Sequence, residues 1–466
     1  MCSVNTDLSG RLETLVQEAK GKYSKEVREK IVDNIYREAE NIAKRTVVKP
    51  PKKLDWDGKI DNILTSRITG YPIMLLLLGV IFWITIVGAN YPSQMLFKIL
   101  FWGEEKISTL FYFLGMPQWL HGFLVLGVYR CVAWVVAVML PPMAIFFPLF
   151  TLLEDLGFLP RVAFNLDNFF RKAGAHGKQS LTMSMGFGCN AAGVIACRII
   201  ESPRERLIAI LTNNFVPCNG RFPTLIVISS IFMGGALAAP YSSLVTPLVI
   251  VGIVLIGIMV TLIVSWLLSK TLLRGVPSTF TLELPPYRRP QIGQIIIRSI
   301  FDRTVFVLWR AVKVAAPAGG IIWLLANTYL GDSSLLNSLA TAIDPFARGI
   351  GLDGIILTAF ILGLPANEIV LPIMIMGYLT EGALLELDSL IALKTLLLDN
   401  GWTLMTALSV MLFSLLHYPC STTLLTIKKE TGSLKWTFLG AIIPLAVSVL
   451  VLFILNSISS LLLLMN

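Results

Sequence analysis

Three cysteines stand where apolar runs of the chain are interrupted, and their neighbours define the chemistry open to them. Cys189 follows Gly186-Phe187-Gly188 and precedes Asn190; Cys218 sits between Pro217 and Asn219-Gly220-Arg221; Cys420 follows His417-Tyr418-Pro419. Thiolates select soft or borderline transition metals, while imidazole and carboxylate accept divalent iron, zinc or manganese. Cys189, Cys218, Cys420, Asn190, Glu368 and His417 therefore form the candidate metal-ligating set, better suited to a transition metal than to a sugar. A cysteine in a helix is equally a small buried hydrophobe, the reading kept for Cys131 and Cys197. Glu368 lies inside the apolar run 361–379, where an ionisable group is costly unless it faces a cavity or a partner. Arg221 is its candidate counter-charge or, equally, an anchor for a helix end. His417, at the end of a span, is as readily a hydrogen-bonded structural residue.

The elements that must position these groups are broken spans. Between Gly186 and Pro223 two short apolar segments flank a charged patch, and neither can cross a bilayer cleanly as a regular helix. Backbone freed by such a break is tolerated in hydrocarbon only where it is buried in protein or lines a watery cavity, and paired breaks are the best sequence-level pointer to a transport site. Gly188, Asn367, Pro217, Arg221 and Pro419 are read as gating or structural positions. Cys189-Asn190 has a counterpart in Ala366-Asn367, Pro217-Cys218 has one in Pro419-Cys420, and a threonine follows six residues beyond each of the latter cysteines, at Thr224 and Thr426. This suggests two structural repeats, residues 119–273 and 301–466, joined by a cytoplasmic hinge at 274–300 that contains Glu283, Pro285, Pro286, Tyr287, Arg288, Arg289 and Pro290. Ahead of them come a cytoplasmic helical segment, 1–66, and a region, 67–118, with a first span from about Tyr71 to Ala89. An amphipathic piece, Met95 to Leu114, is expected to lie at the interface. Glu154, Asp155 and Asp167 form a candidate acidic vestibule for cations, or a loop bridge to Arg161 or Arg171.

Composition sets the class. The chain has 466 residues, 55% of them hydrophobic and 14% charged, with a mean hydropathy of +0.74, so an all-α polytopic membrane protein is expected. The polar opening residues carry no cleavable signal, which keeps the N-terminus in the cytoplasm. A net charge of +9 could suggest nucleic acid, but the basic residues gather between apolar stretches, at 161–178, 198–206, 270–298 and 428–435, as cytoplasmic loops do under the positive-inside rule. Six scattered cysteines give no extracellular disulfide framework. No P-loop is complete: Gly174 to Lys178 approaches one, yet Gln179 stands where the hydroxyl should be. No metalloprotease or serine-hydrolase motif occurs either, so the chain reads as a non-enzyme.

The motifs quoted above, with Leu153-Glu154-Asp155, Arg161-Val162-Ala163-Phe164, His176-Gly177 and the segment 283–290, resemble those of the ferrous iron transport protein B (FeoB) family in its membrane region, in order from about Lys22 to Ser433. The resemblance implies two gate repeats with re-entrant helices and import of Fe²⁺ across the bacterial cytoplasmic (inner) membrane. It also implies a member without the family's N-terminal G domain, served by a separate small GTPase and a small accessory protein, with a homo-oligomer as a further expectation. No cofactor is expected on this chain; Fe²⁺ is the substrate, and GTP enters only through the partner. Cys189, Cys218 and Cys420 match the family's motif cysteines. Departures are Ala191-Ala192 for Val-Pro, Asn367 for the lysine ahead of the glutamate matched by Glu368, and Phe222 for leucine. Two rival readings are a nucleoside or other small-solute gate-type transporter and a non-transporting membrane scaffold or sensor.

Overall fold

The computed structural model describes residues 26–46, 56–66, 68–234, 242–275, 287, 290–331, 333–385 and 389–465. The start of the expected N-terminal helix (11–25) and most of the hinge, including Glu283, Pro285, Pro286, Arg288 and Arg289, lie outside them. The chain divides into two compact units, one of residues 1–60 with 279–281 and one of the remainder. The described part of the first is the amphipathic helix α1 (Glu26–Thr46), which carries an exposed Lys44–Glu40 pair at 2.8 Å.

The second unit is all-α apart from one two-residue hairpin, β1 (Tyr329–Leu330) with β2 (Ser333–Ser334). In order it holds the end of α2 (Trp56–Leu64), then α3 (Gly70–Phe113), α4 (Gln118–Asp155), α5 (Phe158–Lys172), α6 (Gln179–Gly188), α7 (Asn190–Ala196), α8 (Pro203–Thr212), α9 (Phe222–Phe232) and α10 (Ser242–Lys270). After the hinge come α11 (Ile292–Asn327), α12 (Leu335–Gly349), α13 (Gly354–Leu362), α14 (Val370–Leu379), α15 (Leu390–Asp399), α16 (Leu404–Leu416), α17 (Ser421–Thr431) and α18 (Leu434–Met465). Among the described residues six helical runs are long and apolar enough to cross a membrane, or seven if α12 and α13, bent by 109°, count as one. The chain is a multi-pass membrane protein.

One expectation changes in detail. The piece Met95 to Leu114 is not a separate interfacial helix: α3 runs unbroken for 44 residues, with Pro92 inside it. At 1.5 Å per residue that is about 66 Å, roughly twice the hydrocarbon thickness. Its second half also packs on α4. Glu104, buried, is paired with Arg130, the Tyr129 hydroxyl donates to the Leu100 carbonyl at 2.8 Å, and Phe97 meets Trp134 edge-on with ring centres 5.0 Å apart. The helix α4 runs on through Pro141, Pro142 and Pro148, with a π-helical stretch at Gly122–Tyr129. The helix α11 starts at Ile292 and passes through a π stretch at Ser299–Val305.

Small residues let α4 and α11 approach to backbone contact. A Cβ built on Gly319 would stand 2.4 Å from both the Gly127 carbonyl oxygen and the Cys131 Cβ, and one on Gly122 would meet the Trp323 ring at 2.3 Å. Cys131 is thus a fully buried packing residue, and Cys197, whose thiol donates to the Gly193 carbonyl at 3.3 Å, is another.

Candidate functional site

Four breaks supply the candidate residues. The first is a single extended residue, Cys189 (φ −155°, ψ 126°), between α6 and α7, with Asn190 opening α7. The second, between α13 and α14, ends on Ala366 (φ −152°, ψ 122°), after which Asn367 opens a 3₁₀ turn holding Glu368. The third, after α8, runs through a 3₁₀ turn (Asn213–Phe215) and Val216 to Arg221 before α9. The fourth is His417 to Cys420, where α16 stops and α17 starts; the apolar run from Trp402 to Leu425 is two helices. Proline explains the last two stops: Pro217 and Pro419 lack an N–H and push the preceding residue out of helical conformation.

Arg221 joins the two halves. It is fully buried, and its guanidinium donates to the carbonyls of Asn214 (2.8 Å) and Leu415 (2.7 Å) through Nη1, and to the carbonyls of His417 (3.0 Å) and Tyr418 (3.3 Å) through Nη2. Leu415 to Tyr418 is the C-terminal end of α16, whose last carbonyls have no partner within the helix and carry the negative end of its dipole. Asn214 reinforces the join by donating to the His417 carbonyl at 2.6 Å. Of the two roles open to Arg221, the contacts are those of a helix-end anchor, and its guanidinium makes no ion pair with Glu368.

Glu368 is 6% exposed and packs on bare backbone: a Cβ on Gly220 would lie 2.2 Å from its Oε1. Among the described residues no cation pairs with it within 4.0 Å. Cys218 and Cys420 both lie within electrostatic reach of its carboxylate, and Cys189 within reach of both thiols. Asn367 donates weakly to the Cys218 sulfur at 3.9 Å, while its Oδ1 is buried with no hydrogen-bond donor among the described residues. Cys420, half-buried at the start of α17, has its sulfur 3.3 Å from the Thr423 hydroxyl.

The expected six-residue ligand set is not assembled as a chelating cage: among the described residues no three His, Cys, Asp or Glu side chains converge to hold a metal ion. Two of the six make bonds into the fold. His417 turns Nδ1 back onto the Phe413 and Ser414 carbonyls at 2.9 and 3.0 Å and stacks on Phe413. The Asn190 amide is satisfied when its nitrogen donates to the carbonyls of Gly186 (3.2 Å) and Val216 (3.3 Å). What remains together is three thiols, one carboxylate and one free amide oxygen. Further buried polar atoms without partners among the described residues include Arg221 Nε, Asn213 Oδ1 and Gln179 Oε1. Asn213 belongs to the broken stretch that draws attention in the sequence, whereas Gln179 is legible only as the residue that spoils a phosphate loop.

Glu154, Asp155 and Asp167 are set apart from this cluster. Asp155 accepts from the Gln291 N–H at 3.3 Å; Asp167 pairs with Arg171 at 3.6 Å and packs on Gly177, where a Cβ would fall 1.9 Å from Oδ1; Glu154 is exposed at the end of α4. Burial raises the Asp167 carboxyl above its ordinary value against the pull of Arg171 and His176. Burial lowers His176, whose Nδ1 accepts from the Lys178 N–H at 3.1 Å. Nearby, Arg161 holds Asp61 through Nε at 3.0 Å and lies 4.1 Å from the Tyr287 ring centre. The Tyr287 hydroxyl donates to Asp61 at 2.7 Å, and burial together with that carboxylate pushes it up to about 12.

Comparison with known proteins gives two family models. One, described as nucleoside recognition (Gate), matches residues 136–232 and 308–434, and one described as the ferrous iron transport protein B C terminus matches 250–302. The chain is 29% identical to an Fe(2+) transporter FeoB of Staphylococcus aureus strain MSSA476 over 86% of its length and 58% of the relative's. It is 27% identical to an Fe(2+) transporter FeoB of Methanocaldococcus jannaschii over 98% of its length and 66% of the relative's. A Campylobacter jejuni protein of the same name shares 25% identity over 85% of the chain and 64% of the relative. The chain thus spans less than two thirds of the length of these relatives. No solved structure matches it.

Proposed function

Because this chain belongs to the ferrous iron transport protein B family, we propose that it is a permease moving Fe²⁺, or a related divalent transition metal, across the cytoplasmic membrane along a cysteine-lined path between two gate repeats. The observation that carries the reading is Glu368: a carboxylate 6% exposed, against the backbone of Gly220, with two thiols in electrostatic reach and no cation paired to it among the described residues. An unpaired carboxylate in such a place is costly unless a cation visits it. Thiols and an amide oxygen replace part of the ion's hydration and disfavour Mg²⁺ and Ca²⁺. Groups spread along a route rather than closed into a cage suit passage, since an ion must bind weakly enough to leave.

The relatives' names speak of Fe(2+) transport, which supports iron as the cargo. Coupling to a separate small GTPase and a small accessory protein, a bacterial inner-membrane location with the N-terminus in the cytoplasm, and the absence of any catalytic step on this chain belong to the same reading. The test is Fe²⁺ uptake into vesicles reconstituted with the purified chain. Uptake is expected to fall when Cys189 or Cys218 becomes serine, and unchanged uptake in both variants removes the cysteine mechanism. A second reading follows from the description of the Gate model as nucleoside recognition; nucleosides that compete with Fe²⁺ for uptake would favour it.

A further inference from the structure

We propose that the cavity between α3, α4 and α9 is the vestibule through which a hydrated divalent cation reaches Cys218, with the rings of Phe146, Phe187 and Phe222 as its inner constriction. This inference rests on the permease reading. The cavity has a volume of about 190 Å³ and is partly open; a single water needs only about 10–15 Å³, so an ion fits with part of its shell. Its polar side chains are Thr85, Asn90 and Ser93 on α3 and Asn219, and the rest of its lining is apolar. Thr85, Ala89 and Ser93 recur every fourth residue and so share one face of α3. Along α3, Thr85 and Ala89 are buried, Asn90 beside them is exposed and Ser93 is half-buried.

At its inner end the cavity meets both first-half breaks. Asn219 follows Cys218 in the chain, and its N–H donates to the Gly188 carbonyl, one residue before Cys189, at 3.3 Å. The aromatic rings press on that point: a Cβ on Gly188 would come within 2.8 Å of Phe146 and Phe147. The mouth also lies at the right depth. Gly70, the start of α3, stays beside α5 through the Tyr71 hydroxyl, which donates to the Asn165 carbonyl at 2.9 Å. Asn90 lies twenty residues farther along the helix, about 30 Å of axial rise, which is the thickness of the hydrocarbon core. None of Glu154, Asp155 and Asp167 lines this cavity, so the vestibule recruits neutral oxygens in place of carboxylates.

The test compares three variants of the full chain in proteoliposomes, reading Fe²⁺ uptake and the rate at which a small cationic methanethiosulfonate labels Cys218, followed by mass spectrometry. Ser93→Phe narrows the mouth, Phe222→Leu widens the constriction, and Leu76→Phe enlarges an exposed position elsewhere on α3. Ser93→Phe is expected to lower both readouts about tenfold and Phe222→Leu to raise both about twofold, as steric control of a pore requires; Leu76→Phe is expected to change neither. If Ser93→Phe does not fold, Phe222→Leu decides: faster uptake and labelling support the vestibule, and unchanged rates overturn it. Uptake by the native chain that is indifferent to both cavity substitutions removes the vestibule alone. A native chain that moves no Fe²⁺ removes the permease reading and the vestibule with it.

Discussion

Cys189 and Ala366 hold nearly the same backbone conformation, φ/ψ −155°/126° against −152°/122°, and each is followed by a buried asparagine that opens a new helical turn. Their chemistry differs. The first break offers a thiol and an asparagine already bonded to backbone carbonyls, whereas the second offers a methyl group, an asparagine with an unpartnered oxygen and, one residue on, a buried carboxylate. One backbone shape therefore carries a soft donor at one break and hard donors at the other. The second pair of breaks differs in another way: the His417–Cys420 break presents carbonyls, and the Asn213–Arg221 break presents the guanidinium and amide that bind them.

The comparison can be broken most severely at Arg221. Arg221→Met leaves four carbonyls short of a donor, and the expected loss is about 3–5 kcal/mol of stability, read as a lowered melting temperature in detergent; a loss below about 1 kcal/mol would mean that the two breaks hold together without it. Glu368→Gln, which keeps shape and removes charge, is expected to cut Fe²⁺ uptake about tenfold or more, roughly 1.4 kcal/mol, with little change in melting. Gly220→Ala sharpens the same point from the other side, because its methyl must displace the Glu368 carboxylate; uptake should fall several-fold, about 1 kcal/mol, with the fold retained. Cys189→Ala makes the first break resemble the second, so stability should change by less than about 1 kcal/mol while uptake falls.

The smallest effect lies outside the membrane, at the Asp167–His176 pair. Burial lowers His176, so the folded state holds it neutral; its contribution is present above the ordinary histidine range and is lost as pH falls through the lowered folded value. Asp167 has the opposite sign: its raised value makes its contribution greatest in acid, lost as pH rises through a folded value above the usual carboxylate range. The melting temperature of His176→Gln should therefore decline less than that of the native chain between about pH 7 and 5.

The breaks themselves are readable in the sequence, because proline, glycine and polar side chains crowded into an apolar run leave backbone groups that lipid cannot satisfy, so the helix must stop there inside protein. Burial of Glu368 is readable for the same reason, as a charge in such a run must face inward. The destination of Arg221 is not, since three of its four carbonyl acceptors lie more than 190 residues away, and a carbonyl leaves no mark on sequence. Nor is the orientation of His417: its Nδ1 binds the turn that precedes it, a choice of rotamer rather than of residue type. Met95 to Leu114 reads as interfacial only while its charges are counted without their partners; Arg130, in another helix, neutralises Glu104.

The close approach of α4 and α11 limits how the molecule can work. With the Gly127 carbonyl and Cys131 both 2.4 Å from where a Gly319 methyl would stand, any one-residue slip that brings Ala318 into register meets a collision. The halves are riveted there, backbone on backbone, like the fixed jaw of a vice. A slide of α4 along α11 is therefore closed to the molecule, and any rearrangement elsewhere must leave this seam intact.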